Sequence, residues 1–122
     1  MNREFDPARV VDLRPLGGKD WKAVGLGHWL RERERAALRQ GWWVLHREPR
    51  NRYDANAIAV YLDCRKIGYL SAAKARAYSP MLDALGADGY EVDARIAGIQ
   101  VYVTLPTPAA VRALVTASHS ED

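Results

Sequence analysis

Residues 57–70 limit the fold of this chain more than any other stretch. Ala57, Ile58, Ala59, Val60, Tyr61 and Leu62 run in order, with Ile58, Val60 and Leu62 at alternate positions. Alternation of this kind predicts a strand with one face on a core. Residues 63–65 make a tight turn and residues 66–70 return as a second strand, so the segment predicts a β-hairpin. The same periodicity recurs elsewhere. Residues 42–47 put Trp43 and Leu45 on one face and Trp42, Val44 and His46 on the other. Both faces carry bulk, so one of them must cover something besides the main core. Residues 90–97 place Val92, Ala94 and Ile96 together, and residues 99–105 do the same with Val101, Val103 and Leu105. Residues 21–26 read as a further strand, and residues 10–13 as a short one.

Helices interrupt this series. Residues 30–40 have helix-forming composition, with Gly41 as the stop. Ser71 is suited to cap a helix over residues 72–78. Ser79-Pro80 restarts it, with Met81, Leu82 and Leu85 as the apolar face and Gly86 and Gly89 as the end. Residues 109–116 predict one or two helical turns before a frayed tail. Strands predominate, and helices do not follow strands in regular alternation, which excludes a doubly wound sheet. The expected architecture is mainly β: a small antiparallel β-barrel with the helix over residues 71–85 packed across one opening. Val60, Ile67, Leu82, Val92, Ile96 and Val103 are the expected core.

At 122 residues the chain suits one domain. No apolar run is long enough to cross a membrane, and the first six residues lack a secretory apolar stretch. Cys64 is the only thiol, so no internal disulfide forms and no Cys-rich zinc site is available. These features predict a cytoplasmic protein. The net charge of +3 is unevenly spread: residues 1–52 hold twelve Lys/Arg against seven Asp/Glu, and residues 53–122 hold six against eight. Arg31, Arg33, Arg35, Arg39, Arg47, Arg50 and Arg52 carry this excess, which suits either a phosphate partner or a solvated surface.

No catalytic constellation is visible. His28, His46 and His119 lack metal-ligand spacing. Asp54 and Asp63 do not belong to the acidic cluster of a nuclease. Cys64 has neighbouring cations in Arg65 and Lys66 but no nearby His or Asn. Gly25-Leu26-Gly27 lacks the rest of a phosphate-cradling pattern. The expectation is a binding domain, not an enzyme, with no metal and no cofactor.

The most distinctive signature combines four elements in order: Arg47-Glu48-Pro49, Asn51-Arg52-Tyr53-Asp54, Asn56-Ala57-Ile58-Ala59-Val60 and Gly68-Tyr69-Leu70. Together they resemble the HIRAN domain family. Val24-Gly25 fits the family's first strand, Gly41 the opening of the second, and residues 90–105 the closing strands. The resemblance covers residues 20–106, leaving residues 1–19 as a lead-in and residues 107–122 as an extension and tail. It implies a barrel related to the OB and SH3-like types, with one or two flanking helices. It also implies a nucleic-acid-binding module for single-stranded DNA with a free 3′ end, acting in DNA repair or processing. A second reading is a protein-interaction module that recruits a helicase or nuclease, with Trp42 or Trp43 as an exposed hot spot. A basic, aromatic cleft between Tyr53 and Tyr69 favours the first reading; a flat apolar Trp patch elsewhere favours the second.

The resemblance also assigns residues. Tyr53 offers a face on which a base can stack. Asp54 can accept from a terminal hydroxyl while repelling phosphate, or it can form an Asx-turn that starts the strand. Tyr69 either lines the pocket beside Tyr53 or is a half-buried core residue. His28 and Trp29 fall on the rim. Gly27 stands where a helicase-fused member of the family has an Arg. A Lys that follows the Gly-His-Leu of that member has no counterpart at Ser71-Ala72, and Lys74 or Arg76 would substitute from the helix. Arg52 and some of Arg31, Arg35, Lys66, Lys74 and Arg76 are expected on phosphates, and Ile99 near an apolar wall. Asn51 is read as a loop cap, Asn56 as a strand-edge acceptor or donor, and Glu48 as the partner of a nearby Arg.

Overall fold

The computed structural model describes residues 5–119; Met1 to Glu4 of the lead-in and Ser120 to Asp122 of the tail lie outside the described residues. Among these residues eight strands form two sheets. The larger has the order β1-β6-β3-β4-β5, built from Val10–Asp12, Gly89–Val92, Trp43–Arg47, Ile58–Leu62 and Arg65–Tyr69. The smaller has the order β2-β8-β7, built from Lys19–Lys22, Gln100–Leu105 and Ala94–Ala97. Pairing is antiparallel throughout except between β1 and β6. The sheets join where the chain beyond β2 changes partner. The Ala23 amide donates to Val101 O, and Val24 then exchanges two backbone hydrogen bonds with Tyr69 on β5. The barrel expected from sequence is thus, in its hydrogen bonding, two sheets joined at this corner.

The expected hairpin is present as β4–β5, turned by Asp63 and Cys64, both at positive φ, which is the conformation a two-residue hairpin turn selects. Val60, Ile67, Leu82, Val92 and Val103 are buried, and Ile96 is partly buried against the same core. Ser71 caps its helix by accepting from the Lys74 amide at 3.2 Å, and Gly86 ends it at φ 71°.

Several boundaries differ from expectation for identifiable reasons. The predicted helix over residues 30–40 is two short ones, α1 (Leu26–Trp29) and α2 (Glu32–Ala36), because Leu30 and Arg31 are extended. The buried Leu30 pins the break, and the Glu34 carboxylate accepts from the Arg31 amide to start α2. The predicted strand over residues 21–26 therefore ends earlier: β2 stops at Lys22, and Leu26 opens α1. The predicted strand over residues 90–97 divides at the exposed Asp93 into β6 and β7, one in each sheet. The helix α3 (Ala72–Leu85) runs unbroken through Pro80. Ser79 is not a second cap; it is buried and its hydroxyl donates to Asn56 Oδ1. The C-terminal helix α4 (Pro108–His119) is longer than predicted, held by Val111, Leu114 and Val115 packed on the core. Residues 116–119 are helical rather than frayed.

The described part of the lead-in, from Phe5 on, is not loose. Leu13 joins the main core, and Phe5 seeds a second cluster with Val44, Ala59 and Tyr61, against which Val10 and Trp42 pack. This explains the bulk on both faces of β3: one faces the main core and the other is covered by the N-terminal segment.

Candidate nucleic-acid interface

The cleft originates in an irregularity of the hairpin. In β4–β5, Val60 pairs with Gly68 but Tyr61 pairs with Lys66, so Ile67 is an extra residue. Paired residues share a face. Tyr69 lies opposite Ala59 and Lys66 opposite Tyr61, and Ala59 and Tyr61 are two apart on one strand. The bulge therefore puts Lys66 and Tyr69 on the same face while Ile67 turns into the core. Strict alternation would have separated them.

Gly68, opposite the core residue Val60, lets the second wall come in along the edge of β5. A Cβ at Gly68 would lie 2.7 Å from Val24 O and 2.8 Å from Leu26 Cδ1, so only glycine admits the Val24 crossing. That crossing seats α1 beside β5. The Trp29 ring then lies 6.1 Å from the Tyr69 ring and 5.5 Å from that of His28. The third wall is the loop before β4. Asn51 Oδ1 accepts from the amides of Tyr53 and Asp54 at 2.9 and 3.1 Å, and Asp54 Oδ1 accepts from the Asn56 amide at 2.9 Å. Asn51 caps the loop as expected, and the Asx-turn reading of Asp54 holds for Oδ1. No hydrogen bond reaches Asp54 Oδ2 among the described residues, so one carboxylate oxygen is not used by the turn. Asn56 ties the loop to α3 through Ser79.

The result is a cleft of about 630 Å³, a size suited to a small ligand or a terminal nucleotide. Tyr53, Asp54, Tyr69, His28, Trp29, Arg52 and Lys66, dispersed in sequence, all line it. Tyr53 is 88 % exposed, its ring standing clear of the loop with the Arg52 guanidinium 5.5 Å from its centroid. Lys74, Arg76, Ile99, Arg31 and Arg35, also expected at the site, do not line the cleft. Lys74 Nζ sits 3.3 Å over the Trp21 ring. Arg76 is exposed on α3. Ile99 lies in the β7–β8 turn, where its carbonyl accepts from Arg35. Arg35 Nη1 lies 3.4 Å from where a Cβ of Gly27 would be, so this guanidinium occupies the surroundings of the missing side chain without joining the cleft.

Sequence reasoning missed the part played by Glu48. It pairs not with an Arg but with Lys66, at 2.5 Å. It also accepts from the Tyr69 hydroxyl at 2.8 Å and from Asn51 Nδ2 at 2.9 Å, while Lys66 donates to Tyr69 Oη at 3.2 Å. Arg47, the neighbouring guanidinium, is drawn instead to Asp83 and to the Ala57 carbonyl. Burial raises the Glu48 pKa, but hydrogen bonds from Lys66, Asn51 and Tyr69 outweigh it and hold the carboxyl below its ordinary value. Burial likewise opposes the charge on Lys66, and the bonds to Glu48 and Tyr69 reverse that and raise its pKa. Burial, reinforced by the Glu48 carboxylate, raises the Tyr69 pKa. Lys66 is thus a charged wall of the cleft, lying 4.7 Å over the Trp29 ring, but its charge already has a partner. The only signal for this in the sequence is the Arg-Glu-Pro element itself.

The Trp pair expected of a protein-interaction module does not form a flat exposed patch: Trp42 is half-buried and Trp43 buried. Trp43 is 3 % exposed and donates to Gln40 Oε1, and Trp42 packs edge-on against Phe5. Among the described residues no group of His, Cys, Asp and Glu is placed to hold a metal ion, and no helix is long and apolar enough to cross a membrane.

Fold and cleft together define a small, mainly β binding domain whose open surface is aromatic and cationic. A family model described as the HIRAN domain matches residues 34–105, more than half of the chain. The chain belongs to the HIRAN domain family, a nucleic-acid-binding domain family. Its fold is similar to that in the crystal structure of the HIRAN domain of human HLTF, with a TM-score of 0.50 and 19 % sequence identity over 88 % of this chain and 92 % of that one. No curated protein sequence matches the chain.

Proposed function

We propose that the protein is a non-catalytic, cytoplasmic module that binds single-stranded DNA in this cleft and holds a free 3′ end, as a component of DNA repair or processing. One observation carries the reading: the cleft gathers the rings of Trp29, Tyr53 and Tyr69 with Arg52 at its rim and the Asp54 carboxylate on its wall. Ring faces stack on bases without regard to sequence, a guanidinium engages phosphate, and a carboxylate accepts from a hydroxyl while repelling a phosphate. Tyr53 takes the terminal base, Arg52 the adjacent phosphate and Asp54 Oδ2 the terminal hydroxyl. Burial of Trp43 and the packing of Trp42 against Phe5 leave less apolar surface for recruitment of a helicase or nuclease, which favours the nucleic-acid reading.

Fluorescence polarisation with single strands ending in a 3′ hydroxyl or a 3′ phosphate tests this. Asp54→Asn is the informative variant, because Asn also forms Asx-turns and so preserves the loop while removing the charge. The wild type should prefer the hydroxyl end. In the variant the phosphate-ended strand should gain affinity and the preference should shrink or invert. Equal binding of both ends by the wild type, or an unchanged preference in the variant, would refute end recognition through Asp54.

A further inference from the structure

Resting on the reading of the cleft as the seat of a strand end, we propose that the Glu48–Lys66 pair is an end stop: a partition that admits a terminal nucleotide and bars a continuous strand. A second concavity lies behind the cleft, lined by His46, Arg47, Pro49 and Arg50. Glu48, Asn51 and Lys66 line both hollows, so they are the wall between them. A ligand passing from one to the other must cross this wall.

The wall is braced from several sides. Glu48 holds Lys66, Tyr69 and Asn51 at once, and Lys66 is also bonded to Tyr69 and lies over Trp29. Both charged side chains are mostly buried, at 15 % and 18 % exposure, so the bar is packed rather than a surface ion pair that opens freely. Its construction follows from the chain: the bulge at Ile67 turns Lys66 onto the face of Tyr69, and the residues after β3 bring Glu48 to meet it.

Beyond the wall the surface still suits a polyanion. Arg50 is exposed and makes no hydrogen bond or ion pair among the described residues, and it lines this second hollow. A groove that tracks single strands needs a continuous path for the backbone. Here the aromatic half and the free cationic half are adjacent but separated by the bar. The bar closes the cleft on the side of Arg50, so a strand that enters the aromatic half ends there instead of continuing into the cationic half.

The test compares one internally labelled single strand with a free 3′ hydroxyl against the same sequence closed into a covalent circle, using the full chain. The wild type should bind the linear strand about tenfold tighter, the worth of one stacked base. Glu48→Ala and Lys66→Ala each lower one side of the wall and should reduce that ratio by raising affinity for the circle. Arg50→Ala in the wild-type background should leave linear affinity within about twofold, as an exposed charge outside the contact does. Added to either wall variant, it should remove the gain on the circle. The proposal is overturned if the wild type binds linear and circular strands equally, or if a folded wall variant keeps the wild-type ratio. It is also overturned if Arg50→Ala alone weakens linear binding about tenfold, since the strand would then already cross the wall. Thermal melts identify wall variants that do not fold, and the Arg50→Ala measurement then decides. Failure of the wild type to bind any single strand would instead remove the nucleic-acid reading itself.

Discussion

One face of the larger sheet carries two aromatic groups with opposite surroundings. At β3 and β4, Trp42 and Tyr61 are roofed by Phe5, whose ring meets each of them edge to face at 5.9 and 5.2 Å. At β5 the same face continues to Tyr69, where the roof stops and Trp29 and Tyr53 stand open. Similar residue types thus serve cohesion at one end and recognition at the other, and the N-terminal segment sets the boundary. Aromatic composition alone says little about binding; what matters is which rings the rest of the chain leaves uncovered.

The sharpest way to break this comparison is to remove the roof. Phe5→Ala deletes a buried ring and should cost about 3–5 kcal/mol of stability, read by denaturant unfolding. Strand binding should persist under conditions where the variant is folded. A variant as stable as the wild type would show that the second cluster is not cohesive. Gly68→Ala attacks the junction of the two regions. Its methyl would meet the Val24 carbonyl and Leu26, and overpacking of this kind costs about 1–3 kcal/mol. Because the strain moves α1 away from β5, strand affinity should fall with stability, unlike in Phe5→Ala.

Tyr53→Ala probes the open region alone. The ring is almost fully exposed, so the melting temperature should not change, while affinity for every single strand should weaken by about 1–3 kcal/mol. A drop in melting temperature with unaltered affinity would assign Tyr53 to cohesion instead. The smallest effect is expected at Arg52. Arg52→Ala should flatten the slope of log affinity against log salt by about 0.7, one single-strand phosphate contact. An unchanged slope would leave Arg52 as a partner of Tyr53 only.

Much of the site was legible because it is assembled locally. The Asn51 and Asp54 turns close over two or three residues, so residue type and spacing suffice to predict them. The Arg52-Tyr53-Asp54 run was readable for the same reason. Lys74, Arg76 and Ile99 were misplaced because their positions depend on the direction a helix or turn faces once packed. Lys74 turned to Trp21, and Ile99 sits in a turn tied to Arg35. The helix expected over residues 30–40 failed because composition records propensity, whereas burial of Leu30 outweighs it.

By itself the sequence determined the β4–β5 hairpin, the Ser71 cap, the Gly86 stop and the alternating core positions. Each rests on backbone geometry and hydrogen bonds that act within a few residues. Tertiary structure decided three things. Phe5 came to roof Trp42, the segment after β2 crossed at Gly68 to bring Trp29 to Tyr69, and Glu48 took Lys66 as its partner in preference to the adjacent Arg47. Such partners are chosen by which strands become neighbours and by one extra residue at Ile67. A bulge reverses which face every later side chain of its strand occupies, and alternation read along a single strand carries no record of the register of the strand beside it.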